Sequence, residues 1–134
     1  MSGSVTDRAP RGSWHGVPRS GAEARDVTRE VLRGRSRELV DDCLLVVSEL
    51  VANAVRHAGG LTGFEVTAGP AGVVVTVRDA SHRLPVALRG AGAPPRTEPG
   101  GHGWPMVCRL ATRVVVTRYR SGGKSIQATV APPA

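Results

Sequence analysis

The sequence predicts one α/β (α+β) domain folded as two layers, and three observations carry that prediction. A chain of 134 residues is long enough to bury a single two-layer core and too short for two independent ones. Between Ser20 and Ala58 apolar residues recur at helical spacing in two separate runs. Two further stretches, Phe64 to Val77 and Arg113 to Val130, are rich in Val and Thr and each is broken by a glycine-containing turn, the signature of antiparallel hairpins.

The elements follow in order. Residues 1–18 are rich in Gly, Ser, Arg and Pro without a period, which predicts a flexible N-terminal tail in which Trp14 and Val17 can add an edge strand. The domain proper is residues 19–134. Ser20-Gly21-Ala22-Glu23 is a capping box, followed by Val27, Val31 and Leu32 at helical spacing and closed by Gly34. A second helix is predicted from Asp41 to Ala58, with Cys43, Leu44, Val47, Leu50, Val51, Ala54 and Val55 on one arc and Asp42, Glu49, Asn53 and Arg56 on one flank. Gly59-Gly60 ends it. A hairpin then runs Phe64 to Ala68, turns at Gly69-Pro70-Ala71-Gly72 and returns through Val73 to Val77, which sets Val73, Val75, Val77 and Asp79 on a shared face. Ser81 to Gly103 is a Gly/Pro-rich loop of the length that serves as a lid or binding loop. A short helix from Trp104 to Thr112 and two strands, Arg113 to Arg120 and Lys124 to Val130, complete the domain.

Composition narrows the class of function. The chain carries 18 Lys+Arg against 11 Asp+Glu, a formal charge of +7, which raises a nucleic-acid reading. Lys124 is the sole lysine and the arginines are scattered from Arg8 to Arg120 among acids, so no phosphate-tracking stripe forms. One Phe, one Tyr and two Trp leave almost nothing on which single-stranded bases could stack. Direct nucleic-acid binding is therefore disfavoured. Cys43 and Cys108 stand alone in apolar stretches, without the density of a disulfide scaffold or the pairing of a zinc site, and read as small buried residues in a reducing compartment. No apolar run approaches a membrane span, so the expected location is cytoplasmic, away from the membrane.

The chemistry-bearing candidates are few. Glu49 and Asn53 are one helical turn apart on the flank of the core. A carboxamide oxygen suits Mg²⁺ and a neighbouring carboxylate can act as a base; the plainer alternative is a solvated polar face. Asp79 ends a strand whose other inward residues are valines, an unfavourable place for a carboxylate without a partner, though strand ends also carry Asp as a turn former. Gly101-His102-Gly103 at a helix start allows backbone N–H groups to approach a phosphate. His57 lies at a helix end, where a side chain can meet a ligand or the last carbonyls. Arg56 is expected to pair with a nearby carboxylate, Trp104 to pack, and Lys124 to be a turn residue after Gly122-Gly123.

The order of these pieces resembles the GHKL (histidine-kinase-like) ATPases, and most closely the small anti-sigma-factor serine kinases of the kind abundant in actinomycetes. Val47-Ser48-Glu49-Leu50-Val51-Ala52-Asn53-Ala54-Val55-Arg56-His57-Ala58 is similar to that family's N box. Val77-Arg78-Asp79-Ala80-Ser81 with Leu84-Pro85 resembles its first glycine box in the variant that carries Ser for Gly, and Gly100-Gly101-His102-Gly103 resembles its second. The resemblance covers Ala22 to Val130. It implies a Bergerat fold, a mainly antiparallel mixed sheet packed by three helices, with Mg-ATP held between helices and sheet. It further implies that Asn53 binds Mg²⁺, Glu49 is the catalytic base, Asp79 accepts the adenine amino hydrogen, and Gly101 and Gly103 approach the phosphates. Ser81, His57 and His102 would line the nucleotide site, and residues 83–100 would form the ATP lid. Trp104-Pro105 departs from the family, which has an aliphatic residue after Gly103.

The implied function is an ATP-binding regulator that binds a sigma factor and phosphorylates Ser or Thr on a STAS-type anti-sigma antagonist, with room for a homodimer. The competing function is a nucleotide-gated protein-binding module without kinase activity.

Overall fold

In the computed structural model, which describes residues 12–81 and 103–133, Ser20 opens the first helix, α1 (Gly21–Val31), as the capping box predicts. Ser20 Oγ accepts from Glu23 N–H at 3.1 Å. Glu23 reaches back one residue beyond the cap, accepting from Arg19 N–H at 2.5 Å, so two otherwise orphaned donors are met. The long helix α2 (Arg37–Ala58) begins four residues before the predicted Asp41, because Ser36 is its cap and accepts from Leu39 N–H at 3.2 Å. Gly59, at φ +77°, ends it, and Gly60 N–H closes onto Ala54 O at 3.2 Å.

Among the described residues the sheet has five strands, interleaved with the helices: β1 (Ser13–Gly16) before α1, then β2 (Gly63–Gly69), β3 (Gly72–Asp79), β4 (Arg113–Arg118) and β5 (Lys124–Val130), with α3 (Gly103–Leu110) before β4. Among the described residues their order is β1-β2-β3-β5-β4 and every pairing is antiparallel, in keeping with the mainly antiparallel sheet expected. The edge strand β1 lies within the predicted tail, and Trp14 fastens it by a tilted ring contact with Phe64 at 6.0 Å between centroids. Gly69 pairs with Gly72 around Pro70-Ala71. At Gly72 a side chain would collide with the carbonyl of Val130, so the residue there has to be glycine.

Helices cover one face of the sheet. Val66, Val73, Val75, Val77, Ile126, Ala128 and Val130 point inward and meet Cys43, Val46, Val47, Leu50, Val51 and Ala54 of α2, with Ala24 and Leu32 on one side and Val107 on the other. Each fully buried Val or Leu contributes about 1.5–3 kcal/mol. The apolar stripe of α2 is turned slightly from the predicted arc: Val46 is in the core, and Val55 is 57% exposed. Two further expectations are corrected. Cys108 is exposed, unlike Cys43, which is buried, because it lies about 100° round α3 from the buried Val107, beside the exposed Arg109. Arg56 makes no ion pair among the described residues and faces solvent.

Candidate functional site

The polar flank of α2, the end of β3 and the start of α3 meet at one end of the domain. The link from α2 to β2 is short, and Thr62 N–H binds Arg78 O at 2.8 Å, so the C-terminal half of α2 lies beside the end of β3. Helix α2 packs on β3, β5 and α3. Glu49 and Asn53 are both half-buried there, and His57 is half-buried one turn further on.

Glu49 and Gly103 are in closest contact. A Cβ at position 103 would coincide with Oε1 and Cδ of Glu49 and lie 2.9 Å from its Cγ, so the glycine is what admits the carboxylate to the first turn of α3. That turn contains no acid of its own, and Glu49 supplies the negative charge that a helix N-terminus favours. Pro105 sits within this turn and removes one of its free N–H donors. Trp104 packs into the core as expected, and its Nε1–H is buried with no hydrogen-bond partner among the described residues. A buried donor in that state costs about 1–3 kcal/mol.

Asp79 is buried at the end of β3 together with Lys124, the first residue of β5 and its cross-strand neighbour. Lys124 Nζ is 3.0 Å from each oxygen of Asp79, and both side chains are 1% exposed. Ser81 N–H adds a bond to Asp79 Oδ1 at 2.9 Å, forming a tight turn after the strand. Lys124 is thus not the turn residue that the sequence suggested but the counter-charge of the one carboxylate buried among the described residues. The signal was present: Lys124 shares the inward parity of Ile126, Ala128 and Val130. Gly123 permits the approach, since at φ +85° its Cβ would lie 2.6 Å from Asp79 O.

Glu49, Asn53, His57, Asp79, Ser81 and Gly103 are therefore placed, whereas Gly101, His102 and the predicted lid at 83–100 lie outside the described residues. Among the described residues no group of three or more His, Cys, Asp or Glu could hold a metal ion. Asn53 offers one oxygen ligand, the sparse protein contribution that suits Mg²⁺ shared with phosphates and water, and Glu49 stands one turn away on the same helix. The first turn of α3, which Gly103 leaves open to close approach and which carries no acid of its own, is a place that suits a negatively charged group.

Over residues 17–130 the chain matches the histidine kinase-like ATPase domain, and it belongs to that family. The antiparallel sheet and three helices are the fold expected for such a domain, and ATP is the nucleotide that such a domain takes. No curated protein matches the chain. No helix among the described residues is long and apolar enough to cross a membrane.

Proposed function

We propose that the chain is an ATP-binding regulator of the anti-sigma, serine-kinase type. It phosphorylates Ser or Thr on a STAS-type antagonist, binds a sigma factor in its other state, and works in the cytoplasm. The observation that supports this most is the seat of Glu49 against Gly103, with Asn53 one turn along the same helix. Asn53 would hold Mg²⁺ through its carboxamide oxygen, and Mg²⁺, when bound, offsets the charge of the triphosphate. Glu49 takes the proton of the protein hydroxyl as that oxygen bonds to the γ-phosphorus and the bond to the leaving ADP oxygen breaks. Asp79 accepts a hydrogen from the base, and the first turn of α3 donates to phosphate oxygens.

One observation favours a second reading, a nucleotide-gated binding module. Pro105 deprives α3 of a donor where phosphate would be held, which leaves the phosphates less firmly positioned for transfer. The two readings separate on incubation with Mg-ATP and candidate antagonists. The kinase reading expects phosphate on the antagonist and a loss of about 10²–10⁴ in rate for Glu49→Gln. Nucleotide-dependent partner binding with no transfer would establish the module.

A further inference from the structure

We propose that Lys124 is a positioning residue that fixes which atom of Asp79 a nucleobase meets, and thereby sets the base that the site accepts. This rests on the nucleotide-site reading above. Counting hydrogens and lone pairs leads to it. Lys124 Nζ meets three acceptors: Asp79 Oδ1 and Oδ2 at 3.0 Å each and Ser81 O at 3.4 Å. An ammonium group has three hydrogens, so none is left for a ligand. Lys124 is a clamp and not a direct contact.

The same count leaves Asp79 with a single vacancy. Oδ1 already receives two hydrogens, from Lys124 and from Ser81 N–H, while Oδ2 receives one. An ionised carboxylate oxygen accepts about two. A ligand therefore meets Oδ2, and only as a donor. Because both side chains are almost wholly buried, neither can leave without stranding the other's charge in the interior. A purine with an exocyclic amino group at position 6 satisfies Oδ2. A 6-oxo purine would set acceptor against acceptor.

Asp79→Asn exposes the clamp, because a carboxamide has an acceptor end and a donor end. With Lys124 present, the carboxamide oxygen is held by the ammonium and the NH₂ is turned to the vacancy, so preference should swing from ATP toward ITP. In Asp79→Asn/Lys124→Met the carboxamide keeps only the single neutral bond from Ser81 N–H, so without the ammonium it turns either end to the base far more readily. We expect the parent to prefer Mg-ATP over Mg-ITP by about tenfold or more, the single variant to reverse that ratio, and the double variant to bring it near unity. Equal ratios in the two Asn variants would reduce Lys124 to a structural counter-ion and overturn the proposal while leaving the nucleotide site intact. A folded parent that binds neither nucleotide overturns both.

A measurement on the unaltered chain needs no variant to fold. Lys124 is the sole lysine, so ¹⁵N-lysine labelling gives one side-chain ammonium signal. The clamp keeps its ion pair when the base arrives, so this signal should stay protected from exchange on addition of Mg-ATP. Loss of protection would mean that the base displaces the lysine, which contradicts the proposal.

Discussion

Gly103 lies so close to the carboxylate of Glu49 that no other residue fits without moving it. Position 103 begins α3 and position 49 is in the middle of α2, so this one contact joins the two sequence motifs that were furthest apart in the chain. Gly103→Ala should push the Glu49 side chain away from α3. The atoms in the way are the end of a flexible side chain, so the overpacking should cost about 1 kcal/mol, the low end for such changes, and Glu49→Ala in the same chain should return most of it. Urea unfolding of the two single variants and the double variant checks this: additive effects would mean that the contact is not tight.

The buried pair gives a second expectation. Lys124→Met leaves Asp79 charged and unpaired in the core and should cost about 3–5 kcal/mol, whereas Asp79→Leu/Lys124→Met should recover most of that loss. Chemical denaturation decides it. A mild effect of Lys124→Met alone would show that the pair is open to water.

Much of this arrangement was legible in the sequence. The capping box, the two hairpins and the inward parity of β3 follow from local patterns that tertiary packing did not disturb. Asp79 stood out because a carboxylate in phase with Val73, Val75 and Val77 needs a partner. Its partner was missed because Gly122-Gly123 directed attention to the turn, while the parity of β5 assigns Lys124 to the core. The start of α2 was missed for a different reason: Arg37 and Glu38 are polar, so the apolar period becomes visible only from Leu39 on, and Ser36 lacks a Glu three residues later to complete a capping box. Val46 and Val55 exchanged places because a helix projection fixes the relative angles of residues and not the rotation of the stripe against the sheet.

Glycine positions should differ sharply in tolerance. At Gly59 the backbone is left-handed but nothing lies near a new Cβ, so Gly59→Ala should cost about 1 kcal/mol from conformation alone. At Gly123 the backbone is also left-handed, and a Cβ would press on the Asp79 carbonyl at 2.6 Å, where no flexible side chain can give way. Gly123→Ala should cost clearly more, at least about 2 kcal/mol. Thermal melts of the two variants give the comparison, and equal losses would count against the close approach of the β5 turn to Asp79.

The two cysteines should behave oppositely toward thiol reagents. Burial, helped by the charge of Asp42, pushes the Cys43 thiol up to about 12, while Cys108 is exposed and only raised by partial burial. One thiol per chain should therefore react in the native state and two after unfolding. The shift also has a sign for stability. Cys43 keeps its proton in the fold where an unfolded thiol loses it, so stability is complete below the ordinary thiol range. It then falls as pH rises toward about 12, by at most about 1.4 kcal/mol per pH unit. Two reactive thiols in the native chain would contradict the burial of Cys43.

The central claim is that the α2 flank and the start of α3 form one Mg-ATP site, and equilibrium dialysis with labelled ATP tests it most directly. The folded chain should bind Mg-ATP saturably at one site. Asn53→Ala should weaken binding about tenfold or more through loss of the metal ligand, and Glu49→Gln should bind nearly as the parent does, since its role is to take a proton. Failure of the parent, verified as folded by its melt, to retain any ATP in the presence of Mg²⁺ would contradict the account.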